Sequence, residues 1–197
     1  TVFVSGFVEN PTYSSQCKDY LTLAVGKYGS SCVVPDLIFN KLIKSGLTNH
    51  IELIVKNNES KVLNATDGRK SSKIKGIPKL HDASKAGTKD SNKCSLFLCE
   101  GDSALTMLLS GLTSKDRETC GAFPLKGKLL NVRDASTTQI SGNTEITNIK
   151  KILGLQQGKT YTSTKDLRYG NVVIICDQDL DGSHIKGLLL NVFDIFW

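Results

Sequence analysis

Asp177, Asp179 and Asp181 alternate along Asp177-Gln178-Asp179-Leu180-Asp181-Gly182, directly after the β-branched run Val172-Val173-Ile174-Ile175. In extended backbone, residues two apart share a face at a spacing of roughly 6–7 Å. Three carboxylates so spaced, with no Lys or Arg among them, repel one another and require a cation. A divalent metal that takes hard oxygen ligands meets that need. Three readings compete. A calcium loop fits the first six positions, with Gly182 at its sharp turn. Its twelfth position, however, is Leu188 in place of the closing Glu, and no helix pattern leads into it. A solvated acidic turn is the second reading. The third, favoured by the flanking sequence, is a magnesium site at the C-terminal end of a strand, where open α/β sheets bind their ligands.

The elements that must position these groups are legible on both sides. Ile185, Leu188, Leu189, Val192, Phe193 and Phe196 recur at three- and four-residue intervals, one apolar stripe of a helix with Ser183 as its expected N-cap. Its positive end would lie beside the acidic cluster. The stripe is still running at Trp197, which predicts an end in mid-helix of something larger. A similar unit occurs earlier. Leu96-Phe97-Leu98-Cys99 reads as a short buried strand, Glu100-Gly101-Asp102-Ser103-Ala104 as a turn with Ser103 able to cap, and Leu105 to Leu112 as an apolar helix. Taken alone, that Glu-Gly-Asp turn is an ordinary loop. If the two strands are parallel and joined by a crossover, both acidic loops reach the same sheet edge. Glu100 with the three aspartates then suffices for one or two Mg²⁺ ions.

Four motifs in this order carry a resemblance. Glu100-Gly101-Asp102-Ser103-Ala104, the run Phe123-Pro124-Leu125-Lys126-Gly127-Lys128-Leu129-Leu130-Asn131-Val132-Arg133, Leu167-Arg168-Tyr169-Gly170, and Asp177 through Gly187 together resemble the TOPRIM domain of type IIA DNA topoisomerases, closest to the eukaryotic branch. Ile77-Pro78-Lys79-Leu80 upstream belongs to the same likeness, which runs over almost the whole chain. The resemblance implies a Rossmann-like parallel sheet flanked by helices over residues 92–197. Before it would come the C-terminal part of an α+β ATPase transducer domain (residues 1–67) and a basic linker (residues 68–91). The family's metal ligands map onto Glu100, Asp177 and Asp179, with Asp181 as a further ligand or neighbour of the site. Glu100 is also a candidate to shuttle a proton to the 3′ oxygen on religation. In the N-terminal third, Glu9-Asn10-Pro11-Thr12 and Ser15-Gln16-Cys17-Lys18 resemble the transducer loop that reaches an ATP pocket, so Gln16 and Lys18 would be ATP contacts. Cys17 stands where the family has Thr.

The implied reaction is an ATP-dependent double-strand break through 5′-phosphotyrosyl links, followed by passage of a second duplex. None of Tyr13, Tyr20, Tyr28, Tyr161 or Tyr169 sits in a winged-helix-like stretch, so the nucleophile is expected elsewhere and this chain alone is expected to cleave nothing. Mg²⁺, replaceable in binding by Mn²⁺ or Ca²⁺, and ATP are the implied cofactors. Double-stranded DNA and a homodimer are the implied partners, in the nucleus or, for a viral source, at cytoplasmic replication sites. Cys17, Lys126, Cys176 and Leu180 depart from the family pattern and point to a divergent source, a protist or a large DNA virus. Two alternatives stand beside this reading: a non-catalytic DNA-binding or scaffold protein on the same fold, and a primase or nuclease built on it. Retention of every carboxylate speaks against the first and the transducer-like loop against the second.

Composition is consistent with these expectations. The 197 residues carry a formal net charge of +6, which suits a polyanionic partner. Arg69, Lys70, Lys73, Lys75, Lys79, Lys85, Lys89 and Lys93 face only Asp82 and Asp90 in a stretch rich in Gly, Ser and Thr, read as a largely exposed linker, either a solvated hinge or a backbone-binding segment. Lys126, Lys128, Asn131 and Arg133 form a second basic segment able to hold phosphates, and the resemblance makes Lys128 and Asn131 the leading DNA contacts. The family has Arg where Lys126 stands, and losing the planar fork alters any bidentate contact. Six cysteines without C-x-x-C pairing fit a reducing setting, and Cys99 and Cys176, at the ends of apolar strands, read as buried thiols. No apolar run is long enough to span a membrane. The first 34 residues read as β-rich, with helices opening after Pro35, over about Asn49–Asn64 and over Asn143–Leu153.

Overall fold

The computed structural model describes residues 5–31, 33–71 and 73–197. They divide into two compact units, Thr1–Leu53 and Ile54–Trp197.

In the first unit the chain runs out and back on itself. The Thr22 N–H donates to the Thr12 carbonyl at 2.7 Å, Ser14 N–H to Tyr20 at 3.0 Å, and Glu9 N–H to Tyr28 at 3.1 Å. Only the isolated bridge Tyr13–Leu21 meets the criteria of a ladder, so the expected β-rich stretch contains no regular strand among the described residues. Two paired segments without a third strand or a covering helix are marginal, and here Phe7 and Tyr20 lie open to solvent. Helix α1 (Asp36–Lys44) opens at Pro35, whose fixed φ suits a helix start, and closes where Gly46 takes φ +77°. Helix α2 (Leu47–Asn64) begins slightly before the expected Asn49.

The second unit is built on a parallel three-stranded sheet. Strands β1 (Ser95–Glu100), β2 (Cys120–Leu125) and β3 (Asn171–Ile175) lie in the order β2-β1-β3. The register pairs Leu98 with both Phe123 and Ile174, so β1 is central. Side-chain alternation sorts the two faces. Leu96 and Leu98 join Phe123 and Leu125 in the main core, with Ile146, Ile149 and Ile152 from α5 (Thr144–Leu153) and Ile185, Leu189 and Val192 from α6 (Leu180–Phe196). On the opposite face Phe97, Cys99 and Ala122 meet Leu105 and Leu108 of α3 (Gly101–Gly111). The fold is therefore helix, sheet, helix, the α/β class expected. The short helix α4 (Thr137–Gly142) is opened by a capping box between Ser136 and Gln139. Helix α5 is capped by Asn143, which accepts from Ile146 N–H, and it ends on left-handed Gly154.

Three expectations change. The β-branched run of β3 predicts a buried strand, but Val172 and Val173 are each 37% exposed: both β2 and β3 are edges, and whereas His81 bridges Ala122 of β2, no segment among the described residues pairs with the outer side of β3. The basic stretch 68–91 was read as a largely exposed linker. Its first half largely is, yet from Leu80 onward it packs into the unit. His81 bridges Ala122 on β2, and Ala83, Ala86 and Ser91 are buried. The third concerns residue type, which alone predicts an exposed arginine at 168: Arg168 is fully buried and serves three segments at once. It donates to the Ser71 carbonyl at 2.6 Å, to the Ile152 carbonyl at 2.8 Å and to the Asp82 carboxylate at 2.5 Å. Asp82 also accepts from the buried Tyr169 hydroxyl, which in turn accepts from Ala83 N–H at 3.0 Å. Burial first, then this bond to a carboxylate, pushes the Tyr169 phenol well above the ordinary tyrosine range.

Candidate functional site

Both acidic motifs follow strands that are parallel neighbours, so their loops open on one edge of the sheet. Glu100 closes β1 and occupies the N-cap position of α3, where Gly101 supplies φ +80° for the turn. Ser103, the expected cap, lies inside the first turn, because the positive-φ Gly lets the helix begin earlier. The Glu100 carboxylate reaches across to the second loop and accepts the Asp177 main-chain N–H at 3.1 Å. Two loops separated by 77 residues in the chain are thus joined through one of the carboxylates the sequence singled out.

The aspartates behave differently from one another. Asp179, rather than Ser183, is the N-cap of α6, and its carboxylate accepts Gly182 N–H at 2.7 Å. That turn needs glycine for a second reason. A Cβ on Gly182 would collide with the Asp177 carbonyl, so the start of α6 seats tightly beneath the acidic loop. Asp181 pairs with Lys128 at 2.9 Å. The Lys128 hydrogen bond and charge, with a smaller contribution from His184, hold the Asp181 carboxyl below the usual range. Among the described residues no three His, Cys, Asp or Glu side chains are gathered closely enough to grip a metal ion. The loops are brought together, while the Glu100, Asp179 and Asp181 side chains are engaged with neighbouring protein groups. The donor chemistry still suits a hard divalent cation: Glu100, Asp177 and Asp179 offer carboxylate oxygens alone, and Cys99 behind them is buried, its thiol pushed up by that burial.

The basic segment between β2 and α4 flanks this edge. Leu129 and Val132 are buried anchors, while Lys126, Lys128, Asn131 and Arg133 are exposed. The main-chain N–H of Lys126 donates to the Glu145 carboxylate, which leaves its ammonium in solvent. Asn131 is committed on both ends of its amide. Its Nδ2 donates to Asp134 at 3.1 Å, and its Oδ1 accepts from Asn191 of α6 at 2.9 Å and from Arg133 N–H at 3.2 Å. It ties the basic segment to the helix that Asp179 caps. A cavity of about 320 Å³ opens alongside, with Phe123, Pro124 and Leu125 among its lining and Lys79 paired to Asp102 at 2.5 Å. Lys79 belongs to the Ile77-Pro78-Lys79-Leu80 motif, and nothing local in the sequence signals its pairing with Asp102.

Gln16 and Lys18 lie in the other unit, in the turn of its out-and-back excursion, and both are exposed. Lys18 adopts φ +61°, a left-handed conformation uncommon for a residue with a Cβ, and its ammonium stands 5.9 Å from the centre of the Tyr13 ring.

Comparison with known proteins agrees with this architecture. Residues 95–195 match the Toprim domain family model. The chain is 49% identical over 196 residues to DNA topoisomerase 2 of Pisum sativum, covering 100% of this chain and 13% of that protein. It is 47% identical over 195 residues to DNA topoisomerase 2 of Acanthamoeba polyphaga mimivirus, covering 99% of this chain and 15% of the viral protein. Plant and giant-virus relatives thus match almost equally, so the sequence departures do not separate a cellular from a viral source. The crystal structure of the Plasmodium falciparum topoisomerase II DNA-binding, cleavage and re-ligation domain superposes with a TM-score of 0.62 at 55% identity, over 64% of this chain and 18% of that one. The chain spans about one seventh of the length of these two curated relatives.

Proposed function

We propose a function from the premise that this chain belongs to the Toprim family, matched over residues 95–195, and that its relatives are type II DNA topoisomerases. It is the segment of an ATP-dependent type II topoisomerase that supplies the carboxylate edge of the DNA-cleavage site. The observation that carries this reading is the Glu100 carboxylate held at 3.1 Å on the Asp177 main chain, with Lys128 and Asn131 on the adjoining segment.

Glu100, Asp177 and Asp179 are the residues that would hold a divalent cation such as Mg²⁺, for which Mn²⁺ or Ca²⁺ could substitute in binding. Such an ion, when bound, polarises a phosphodiester and offsets charge on a leaving 3′ oxygen. The protein's own contribution is placement. Lys126, Lys128 and Arg133 attract the phosphate backbone, and Asn131 fixes their segment against α6. Glu100 is one hydrogen bond from the Asp177 loop and is suited to hand a proton to the 3′ oxygen on religation. Backbone-dominated binding of this kind is tolerant of sequence and steeply salt-dependent.

Residues 1–67 are assigned to the end of an ATPase transducer domain and 68–91 to its connection with the Toprim unit. Gln16 and Lys18, exposed in their turn, are the ATP contacts proposed on the Ser15-Gln16-Cys17-Lys18 resemblance, with the Lys18 ammonium able to meet a phosphate. The intact enzyme would act as a homodimer inside the cell, wherever its DNA lies.

In the full-length polypeptide, Glu100→Gln should lower ATP-dependent relaxation of supercoiled plasmid by about 100-fold or more, with duplex binding retained. Relaxation at the unsubstituted rate would remove Glu100 from the chemistry. The 197-residue chain alone, given plasmid, Mg²⁺ and ATP, should relax nothing.

A further inference from the structure

Helix α2 meets the sheet unit at its last turn. None of its 18 residues is buried; residues 54–62 are all exposed, and Leu63 is the first side chain after them to reach the core. What holds that turn is a charge. The Lys150 side chain, on α5, is 4% exposed, and each of its three N–H groups has an acceptor. They are the Leu63 carbonyl, the Thr66 hydroxyl and the Asp67 carboxylate, all at 2.9 Å. Burying a cation is costly, and apolar residues of similar volume would join two helix ends without that cost. The charge adds selectivity instead. Its three acceptors fall between residues 63 and 67, so the ammonium is satisfied by one register of the departing chain.

The same turn is locked from two further sides. Asp67 also accepts Gln157 N–H at 2.9 Å, and Gly68 N–H donates to the Leu155 carbonyl at 2.8 Å. Gly68 is buried, and a Cβ there would collide with the Lys150 carbonyl and the Gly154 backbone. That carbonyl accepts Gly154 N–H and Leu155 N–H, both at 2.9 Å, which closes α5. The ends of α2 and α5 thus form one joint. Beyond it, Arg168 grips the Ser71 carbonyl at 2.6 Å. The chain then runs largely exposed from Lys73 to Lys79, which pairs at 2.5 Å with Asp102, two residues after Glu100. A solvated hinge, one of the two readings of the basic stretch, requires freedom to rotate where the chain leaves α2. Residues 63–68 lack that freedom.

We propose that Lys150 is a positioning residue for ATP-driven strand passage: by pinning the end of α2 to α5, it keeps residues 63–68 stiff, so that movement on the ATP-contacting side reaches the carboxylate edge instead of being absorbed at this joint. The inference rests on the reading of residues 1–67 as the end of an ATPase transducer. Lys150 itself touches neither nucleotide nor DNA. It acts through the segment it holds.

The test uses the full-length enzyme. Lys150→Met removes the charge and keeps most of the side-chain length. Gly68→Ala wedges the joint without touching the ammonium, and Thr66→Val deletes one acceptor while the charge stays paired with Asp67. Three quantities are measured: ATP hydrolysis without DNA, Mg²⁺-dependent cleavage of a duplex without nucleotide, and plasmid relaxation per ATP hydrolysed. The third is expected to fall by about 10-fold in Lys150→Met and Gly68→Ala, and by less in Thr66→Val, with the first two near their unsubstituted values. Should Lys150→Met not fold, the other two variants carry the same expectations. Relaxation per ATP retained in the folded variants would overturn the proposal. So would a parallel loss of all three quantities, which is what a purely structural lysine gives. Relaxation that needs no ATP in the unsubstituted enzyme would refute the transducer reading itself, and this inference with it.

Discussion

Replacing Asp82 with Ala removes the carboxylate that pairs with the fully buried Arg168 guanidinium. Arg168 would keep its bonds to the Ser71 and Ile152 carbonyls, but its charge would be left uncompensated, and the Tyr169 hydroxyl would lose its acceptor. Breaking a buried pair by deleting one partner costs about 3–5 kcal/mol. The Asp82 side chain is 23% exposed, so water can enter beside the truncated residue, and the lower end of about 3 kcal/mol is the expected loss. For a unit of this size that corresponds to a fall in Tm of about 6–12 °C. Asp82→Asn keeps an acceptor and should lose about half as much. Thermal unfolding followed by circular dichroism measures both. If Asp82→Ala melts within about 2 °C of the unsubstituted chain, the Arg168 charge is satisfied by something other than Asp82, and the account of how residues 71–83 are held to the loop before β3 fails.

Two further outcomes follow from groups described above. Tyr169 stays protonated in the native chain at a pH where an unfolded tyrosine, near 10.0, has ionised. The native state then binds more protons than the unfolded one, so stability is intact below about pH 10 and declines as pH rises beyond it. Tyr169→Phe should start less stable by about 1–2 kcal/mol but lose less between pH 9 and 11 (values about the tyrosine range); parallel curves in chemical denaturation would contradict the assignment. Among the thiols, Cys17 is exposed, whereas Cys94 and Cys99 are buried with their pKa raised chiefly by that burial. Native alkylation read by mass spectrometry should modify Cys17 about 100-fold faster or more than Cys94 and Cys99, which must wait for the core to open.

What could be read from the chain was whatever the chain states locally. Strand, acid cluster and helix follow one another within twenty residues at Asp177, and Ile146, Ile149 and Ile152 announce α5 by spacing alone. The placement of Glu100 beside Asp177 followed from parallel strands and a crossover. Features decided by neighbours distant in sequence were not legible. Ala83, Ala86 and Ser91 are small residues in a lysine-rich stretch, and nothing in them signals burial until Arg168 and Tyr169 close over them. Lys150 and Arg168 are buried cations, and residue type alone predicts exposure for both. The first 34 residues have strand-forming side chains, but a ladder needs partners as well as propensity. Ser183 was the expected cap, and residue type alone does not separate it from Asp179. The tight seat of Gly182 under the Asp177 carbonyl sets the first turn, with Asp179 capping it. At the carboxylate edge the residues were legible but their present engagements were not, since which side chain Lys128 prefers depends on a rotamer.

The link between Lys128 and Asp181 makes the rim self-neutralising. A phosphate that recruits the ammonium strands a negative charge beside itself, so the anion is repelled by the very group it has displaced. Water relieves part of that conflict, since both partners are half exposed or more. Under the proposed function a cation arriving near the aspartates would relieve more of it, and linkage would then make polyanion and cation each raise the affinity of the other by the same factor.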